Sequence, residues 1–270
     1  MGNLILSGSP KAAHPYYSHQ LGIHIYTAEE LSYYIYNNLL LLEDNFIDDR
    51  LLLFLEKELD MAETAAKIRN WKDNAEFEEL LLVILQDSGY YNSQELQRFG
   101  EQLERFKQEG VEALYMEKAD YLSNMGKLYL AIEIYNKLLS MRSGIMSSDA
   151  KRAKVYAHMA ADVARLFDYN QAYDLTRKAY AMDPQPDYLR QMYMISKMAP
   201  DINADAELSG LDIDLLAQLE HEFEQAQADA EKSADYMRAA DMKEKDAIRR
   251  NAGLTGLVIE WQNEYRRCEG

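Results

Sequence analysis

Apolar residues recur every three or four positions along most of the chain, the spacing that lines one face of an α-helix. The prolines fall at Pro10, Pro15, Pro184, Pro186 and Pro200, so Tyr16 to Asp183 contains none. An interior proline costs a helix about 3 kcal/mol, so this stretch reads as consecutive helices. Thr27-Ala28-Glu29-Glu30 has the form of a capping box, and Leu31, Tyr34, Ile35, Asn38, Leu39 and Leu42 form the buried face of the helix it opens. Asp48-Asp49 opens a second helix with Leu51, Leu52, Leu55 and Leu59 inward, the acidic pair suiting the positive end of the helix dipole. Met61 to Asn70 and Ala75 to Gln86 give a third and a fourth. Gly89 breaks the chain, and Ser93 with Glu95 starts a fifth that ends near Gly110. Residues 1–26 differ. Gly2, Gly8, Pro10, Pro15 and Gly22 punctuate the short apolar pieces Leu4–Leu6 and Ile23–Tyr26, which predicts an irregular docked arm with room for a short strand.

From Glu112 to Pro184 the pattern is laid down twice. Tyr115, Ala119, Leu122, Gly126, Leu128, Ala131, Tyr135 and Leu138 make one helical hairpin. Tyr156, Ala160, Val163, Phe167, Tyr169, Ala172, Thr176, Ala179 and Pro184 make the next, with small residues where two helices must approach closely. On these positions the segment resembles the tetratricopeptide repeat family, whose 34-residue unit carries an aromatic, two small positions, an aromatic and a closing proline. The second hairpin matches from Ala153 to Asp187, whereas the first has Ser143 in place of the proline. Ala131 and Ala172 are 41 positions apart, so the linker Arg142 to Asp149 is longer than the family's turn. Tyr188, Tyr193 and Ile195 resemble the start of a third, degenerate unit with Met194 at the close-packing position, or else a capping helix.

Pro200, Asn203, Ser209 and Gly210 mark a linker over 200–210. Beyond it Leu216, Leu219, Phe223, Ala226, Ala230, Ser233, Met237 and Ala240 trace a heptad seam. Its alanines are too narrow for a free coiled coil, so one long helix packing on the body or on a partner is expected. Asn251 to Gly256 predicts a turn before a short amphipathic helix with Leu257, Ile259, Trp261 and Tyr265. The expected fold is therefore all-α. It comprises an arm (1–26), a multi-helix region (27–110), repeat-like hairpins and a capping helix forming a short solenoid (111–199), a linker (200–210), and a C-terminal helical segment (211–267).

Charge narrows the functional classes. With 29 basic and 46 acidic residues the net charge is −17, which opposes nucleic acid and anionic membrane as partners. The single cysteine, Cys268, excludes an internal disulfide and fits a reducing compartment. Met1–Leu6 lacks the basic region of a secretory signal and the serine or threonine of a myristoylation site. The apolar runs Leu39–Leu42 and Leu80–Leu85 are too short to span a bilayer, so the expected location is cytoplasmic.

Candidate chemistry is sparse. His14, His19 and His24 recur in steps of five among Tyr16, Tyr17 and Tyr26, which suits neither a helix face nor a strand face, and nothing completes a zinc ligand set. His158 and His221 are each isolated in sequence and read as structural or solvent-facing. There is no Gly-rich phosphate loop and no nucleophile elbow. Carboxylate pairs such as Glu29-Glu30 and Glu78-Glu79 say little in so acidic a chain. No cofactor, metal or catalytic residue is assigned. Between Lys197 and Lys232 lie ten Asp or Glu residues and no basic one, a solvated face or a dock for a basic partner.

The resemblance implies a concave groove lined by the first helix of each unit, here Met116, Asp120, Ser123 and Asn124, then Ala157, Ala161, Ala164 and Arg165, then Tyr188 and Gln191. Small alanines opposite Met116 and Tyr188 leave room for an inserted helix or extended peptide, unless the third helix or the long C-terminal helix fills it. Asp120 and Ala161 replace the asparagines with which one subtype of the family grips C-terminal carboxylates, which argues against an acidic tail as ligand. The expected role is a non-enzymatic adaptor or scaffold binding another protein. The alternatives are a chaperone for a secreted client, a peptide-sensing regulator, and an enzyme, which a polar pocket with convergent histidine and carboxylate would favour.

Overall fold

The computed structural model describes residues 11–72, 74–141, 148–199, 201–202, 208, 210–243 and 247–269. The architecture is all-α, with one small β-hairpin, and it divides into two compact units, 1–114 and 115–270.

In the first unit, β1 (Tyr16–Ser18) and β2 (Ile23–Ile25) pair antiparallel, with Tyr17 opposite His24. Gly22, at φ 66°, supplies the left-handed residue the connection requires. Part of the expected irregular arm is thus a regular hairpin; Leu4–Leu6 lies outside the described residues. Ser18 Oγ and Tyr34 Oη, 2.8 Å apart, tie the hairpin to α1 (Ala28–Asn37), and the edge of Tyr16 packs on Phe46. Thr27 accepts from the Glu30 amide at 3.2 Å. The Glu30 carboxylate reaches back to the Tyr26 amide at 2.6 Å, one residue earlier than in an ordinary capping box.

The next helices are α2 (Asp49–Lys57), α3 (Ala62–Trp71), α4 (Phe77–Asp87) and α5 (Ser93–Gln108). Asp48 caps α2 through the Leu51 amide, and Asn92 caps α5 through the amides of Gln94 and Glu95. Leu31, Ile35, Leu51, Leu55, Ile68, Leu81, Ile84 and Phe99 are completely buried, so the three-and-four spacing is the core itself. Leu59 is the exception. The chain leaves α2 before it and turns at Asp60 (φ 57°), so Leu59 stays only half-buried.

α6 (Val111–Asn124) runs from the first unit into the second, which continues with α7 (Leu128–Ser140), α8 (Asp149–Arg165), α9 (Tyr169–Met182) and α10 (Pro186–Met198). α7 packs on α8, α8 on α9, and α9 on α10. Ala119, Ala131, Ala153, Ala160, Ala172 and Ala179 are all at 0% exposure, so methyl-sized side chains set these close approaches. Gly126 (φ 76°) turns α6 into α7. Phe167 (φ 65°) holds the same left-handed conformation between α8 and α9 with its ring 73% exposed.

The C-terminal part differs from the expectation twice. The heptad seam is not one helix: α11 (Ile213–Glu231) stops at Lys232, and α12 (Ala234–Lys243) restarts with the Ser233 hydroxyl accepting from the Tyr236 amide. Leu219 is buried and Leu216 and Phe223 half-buried, while Ala226, Ala230 and Met237 are exposed. The turn expected at Asn251–Gly256 lies inside the continuous helix α13 (Ala247–Glu269). Gly253 serves there not as a breaker but as a contact, since a Cβ at that position would overlap the Met242 thioether of α12. α11 packs on α10, where Arg190 pairs with Glu222 at 2.7 Å, and α13 packs on α7 and α12. The 142–147 linker, most of 200–210 and the Cys268 side chain lie outside the description.

Candidate functional site

Within the second unit an open cleft of about 620 Å³ lies among α6, α7, α8 and α10. Of the ten residues expected to line a groove, Asp120, Ser123, Asn124, Ala157, Ala161, Tyr188 and Gln191 come together on its walls. Met116, Ala164 and Arg165 are not among the lining residues; Arg165 instead donates to the Ser123 carbonyl at 2.9 Å. Tyr135, Lys154, His158, Asp162 and Asp187 complete the lining. No described residue of α11, α12 or α13 contributes, so the described part of the C-terminal segment does not fill the cleft.

Each wall is held by packing and polar contacts. Ala153, Ala157 and Ala179 form a buried cluster against which Tyr156, Met182 and Tyr188 pack, so small side chains let α8, α9 and α10 approach closely beside the cleft. Pro186 begins α10 where its missing N–H costs nothing. α10 is then joined to α8 by Gln191 Nε2, which donates to the Ala157 carbonyl at 3.0 Å.

Two carboxylates organise the polar end. Asp120 Oδ1 accepts from Tyr135 Oη at 2.6 Å and lies 2.8 Å from His158 Nδ1. Burial opposes ionisation of Asp120, yet the hydrogen bonds with His158 and Tyr135 outweigh it and hold the carboxyl below its ordinary range. Tyr135, 1% exposed, is pushed well above the usual phenol range by burial first and then by its bond to Asp120. His158 is therefore not isolated. Its partner is 38 residues away, and the pairing exists only because α6 and α8 lie side by side.

Asp162, 1% exposed, is the deeper acid. Its Oδ1 accepts from Ser123 Oγ at 2.6 Å and from Arg165 at 3.3 Å, while its Oδ2 has no hydrogen-bond partner. Burial pushes this carboxyl above its ordinary range, against the hydrogen bond from Ser123 and the charge of Arg165. No sequence signal pointed to Asp162, because an acid in an amphipathic helix reads as solvent-facing until its neighbours are known.

The N-terminal histidines lie in the first unit. His14 Nδ1 is 2.8 Å from Glu58, which also accepts from the amides of Ala13 and His14, while the rings of His19 and His24 pack against Tyr17. His14 and His19 line a second pocket of about 480 Å³ with Tyr16, Tyr17 and Phe54. Among the described residues no group of three or more His, Cys, Asp or Glu side chains is placed to hold a metal ion, and no helix is long and apolar enough to cross a membrane.

No model of a known protein family, no curated protein and no solved structure matches the chain. Its class is defined by its own features: an all-α protein whose second unit carries an open, polar-ended cleft.

Proposed function

We propose that the protein is a non-enzymatic interaction module, an adaptor or scaffold that binds an extended peptide or helix of another protein in this cleft. The hairpins from Glu112 to Pro184 are read as a short solenoid similar to tetratricopeptide repeats. The observation that carries the proposal is the cleft itself: seven residues chosen for a groove on sequence register converge on one open surface. Ala157 and Ala161 offer apolar contact beside the amide and hydroxyl groups of Asn124, Tyr188 and Gln191, the mixture that peptide grooves use. A net charge of −17 makes a protein ligand more plausible than nucleic acid.

A peptide-display selection on the immobilised chain tests this, with Ala161→Arg as the counter-selection. Ala161 is exposed at the cleft, so arginine there obstructs the opening without entering the core. Peptides enriched on the natural chain and lost on Ala161→Arg support the reading; equal enrichment on both, or none on either, overturns it.

One observation favours a second reading. His158 Nδ1 lies 2.8 Å from the Asp120 carboxylate, the pairing that orients a general base. Ser123, the serine of the cleft lining, already donates its hydroxyl to Asp162. The adaptor reading therefore stands ahead, and turnover of ester or phosphoester probes abolished by His158→Gln would reverse that order.

A further inference from the structure

Both acids at the polar end of the cleft concentrate their hydrogen bonds on one oxygen. Asp120 spends Oδ1 on Tyr135 and His158, and Asp162 spends Oδ1 on Ser123 and Arg165. Asp162 Oδ2 is buried and has no hydrogen-bond partner. The Asp162 side chain is only 2% exposed, and that of Asp120 is 35% exposed, so one acid forms the floor and the other the accessible wall. A buried acceptor without a donor is costly, and natural proteins seldom keep one that nothing ever satisfies.

We propose that this end of the cleft is an anchor for a cationic nitrogen group, an ammonium or guanidinium, whose N–H bonds go to the Asp120 carboxylate and to Asp162 Oδ2. The proposal rests on the peptide-binding reading above and names the ligand chemistry that the cleft selects. Two features favour N–H donors: the acceptor carboxylates of Asp120 and Asp162 share the lining, and Asp187 adds a third negative charge to it. Lys154, a cation in the same lining whose charge favours ionised Asp120, leaves the acids in excess there. Arg165 offsets part of the Asp162 charge, but through Oδ1 and from outside the lining. The same donor set suits a metal poorly, because His158 Nδ1 is engaged with Asp120 and no third ligand group is in place among the described residues. An arginine or lysine side chain of the bound peptide supplies this group, and so does a free small amine.

The test follows amide shifts in 1H–15N spectra of the full chain titrated with methylguanidinium chloride or methylammonium chloride, against sodium chloride at equal ionic strength. Expected are saturable shifts confined to the cleft helices, about tenfold weaker in Asp162→Asn and in Asp120→Asn. Asp174→Asn, which removes an exposed charge elsewhere, leaves them unchanged. Shifts no larger than those of sodium chloride, or unaffected by either cleft variant, overturn the anchor. The peptides selected above separate the two sources and the two claims. A lysine or arginine at one enriched position, with binding lost in Asp162→Asn, identifies a peptide side chain. Shifts with the small cations but no cleft peptide identify a small-amine site. Cleft peptides without a basic residue that bind Asp162→Asn normally sink the anchor and leave the peptide reading intact.

Discussion

Replacing Tyr135 by phenylalanine isolates the hydrogen bond that joins α7 to α6. The ring is 1% exposed, and phenylalanine fills the same space, so no cavity term enters. What is lost is a 2.6 Å bond from a phenol to an ionised carboxylate. Such bonds contribute about 1.5–3 kcal/mol. Asp120 is 35% exposed and keeps His158, so water replaces part of the loss and about 1–2 kcal/mol of destabilisation is expected. The pH dependence carries a second signature. The Asp120 carboxyl sits below its ordinary range in the folded protein, so its stabilising contribution is present above its unfolded pKa of about 3.9 and lost as pH falls through the folded value. Without the tyrosine that folded value rises, and the acid loss begins at higher pH. Urea denaturation from pH 3 to 7 reads both effects, with the slope unchanged if only the folded state is altered. In a cycle with Asp120→Asn the two changes should couple, because they remove the same bond. A Tyr135→Phe protein as stable as the natural chain across that range refutes the network.

Three further outcomes follow from the packing. Phe167→Gly should stabilise by about 0.5–1 kcal/mol in thermal denaturation, since the left-handed strain removed exceeds the chain entropy glycine adds; a lower melting temperature contradicts this. Ala160→Leu, at a position with 0% exposure, should cost about 1–3 kcal/mol through overpacking, measurable by urea midpoints, and tolerance of the larger side chain would mean that the hairpin is loosely packed. Burial raises the Asp162 carboxyl, so its contribution to stability is fully present below about pH 3.9 and is lost as pH rises through the folded value. Asp162→Asn should remove that decline in pH-dependent melting, and an unchanged profile would show that Asp162 does not cause it.

The small-residue positions of the two hairpins were legible because close helix approach admits only alanine or glycine, and Ala119, Ala131, Ala160 and Ala172 are all fully buried. Helix spacing likewise identified Leu31, Ile35 and Leu55 as core. The C-terminal segment misled for a definite reason. Gly253 carries a breaker's propensity, yet its lack of a side chain is used against Met242 within a helix. The end of α11 was equally hidden, since Lys232 and Ser233 fit a helix interior as well as a terminus. At the cleft, register alone placed Asp120, Ala161 and Gln191 on one surface. It could not place Tyr135, His158 or Asp162 there, because partners 15 to 39 residues apart become neighbours only after the helices pack.

The central claim is that this cleft holds a peptide from another protein. Amide-shift mapping of a display-selected peptide on the 15N-labelled chain tests it most directly. The account predicts saturable shifts at Asn124, Ala161, Tyr188 and Gln191, lost in Ala161→Arg. Shifts centred instead on the exposed apolar residues Val258, Ile259 and Trp261 of α13, or on the Tyr17 and Leu53 pocket, would contradict it.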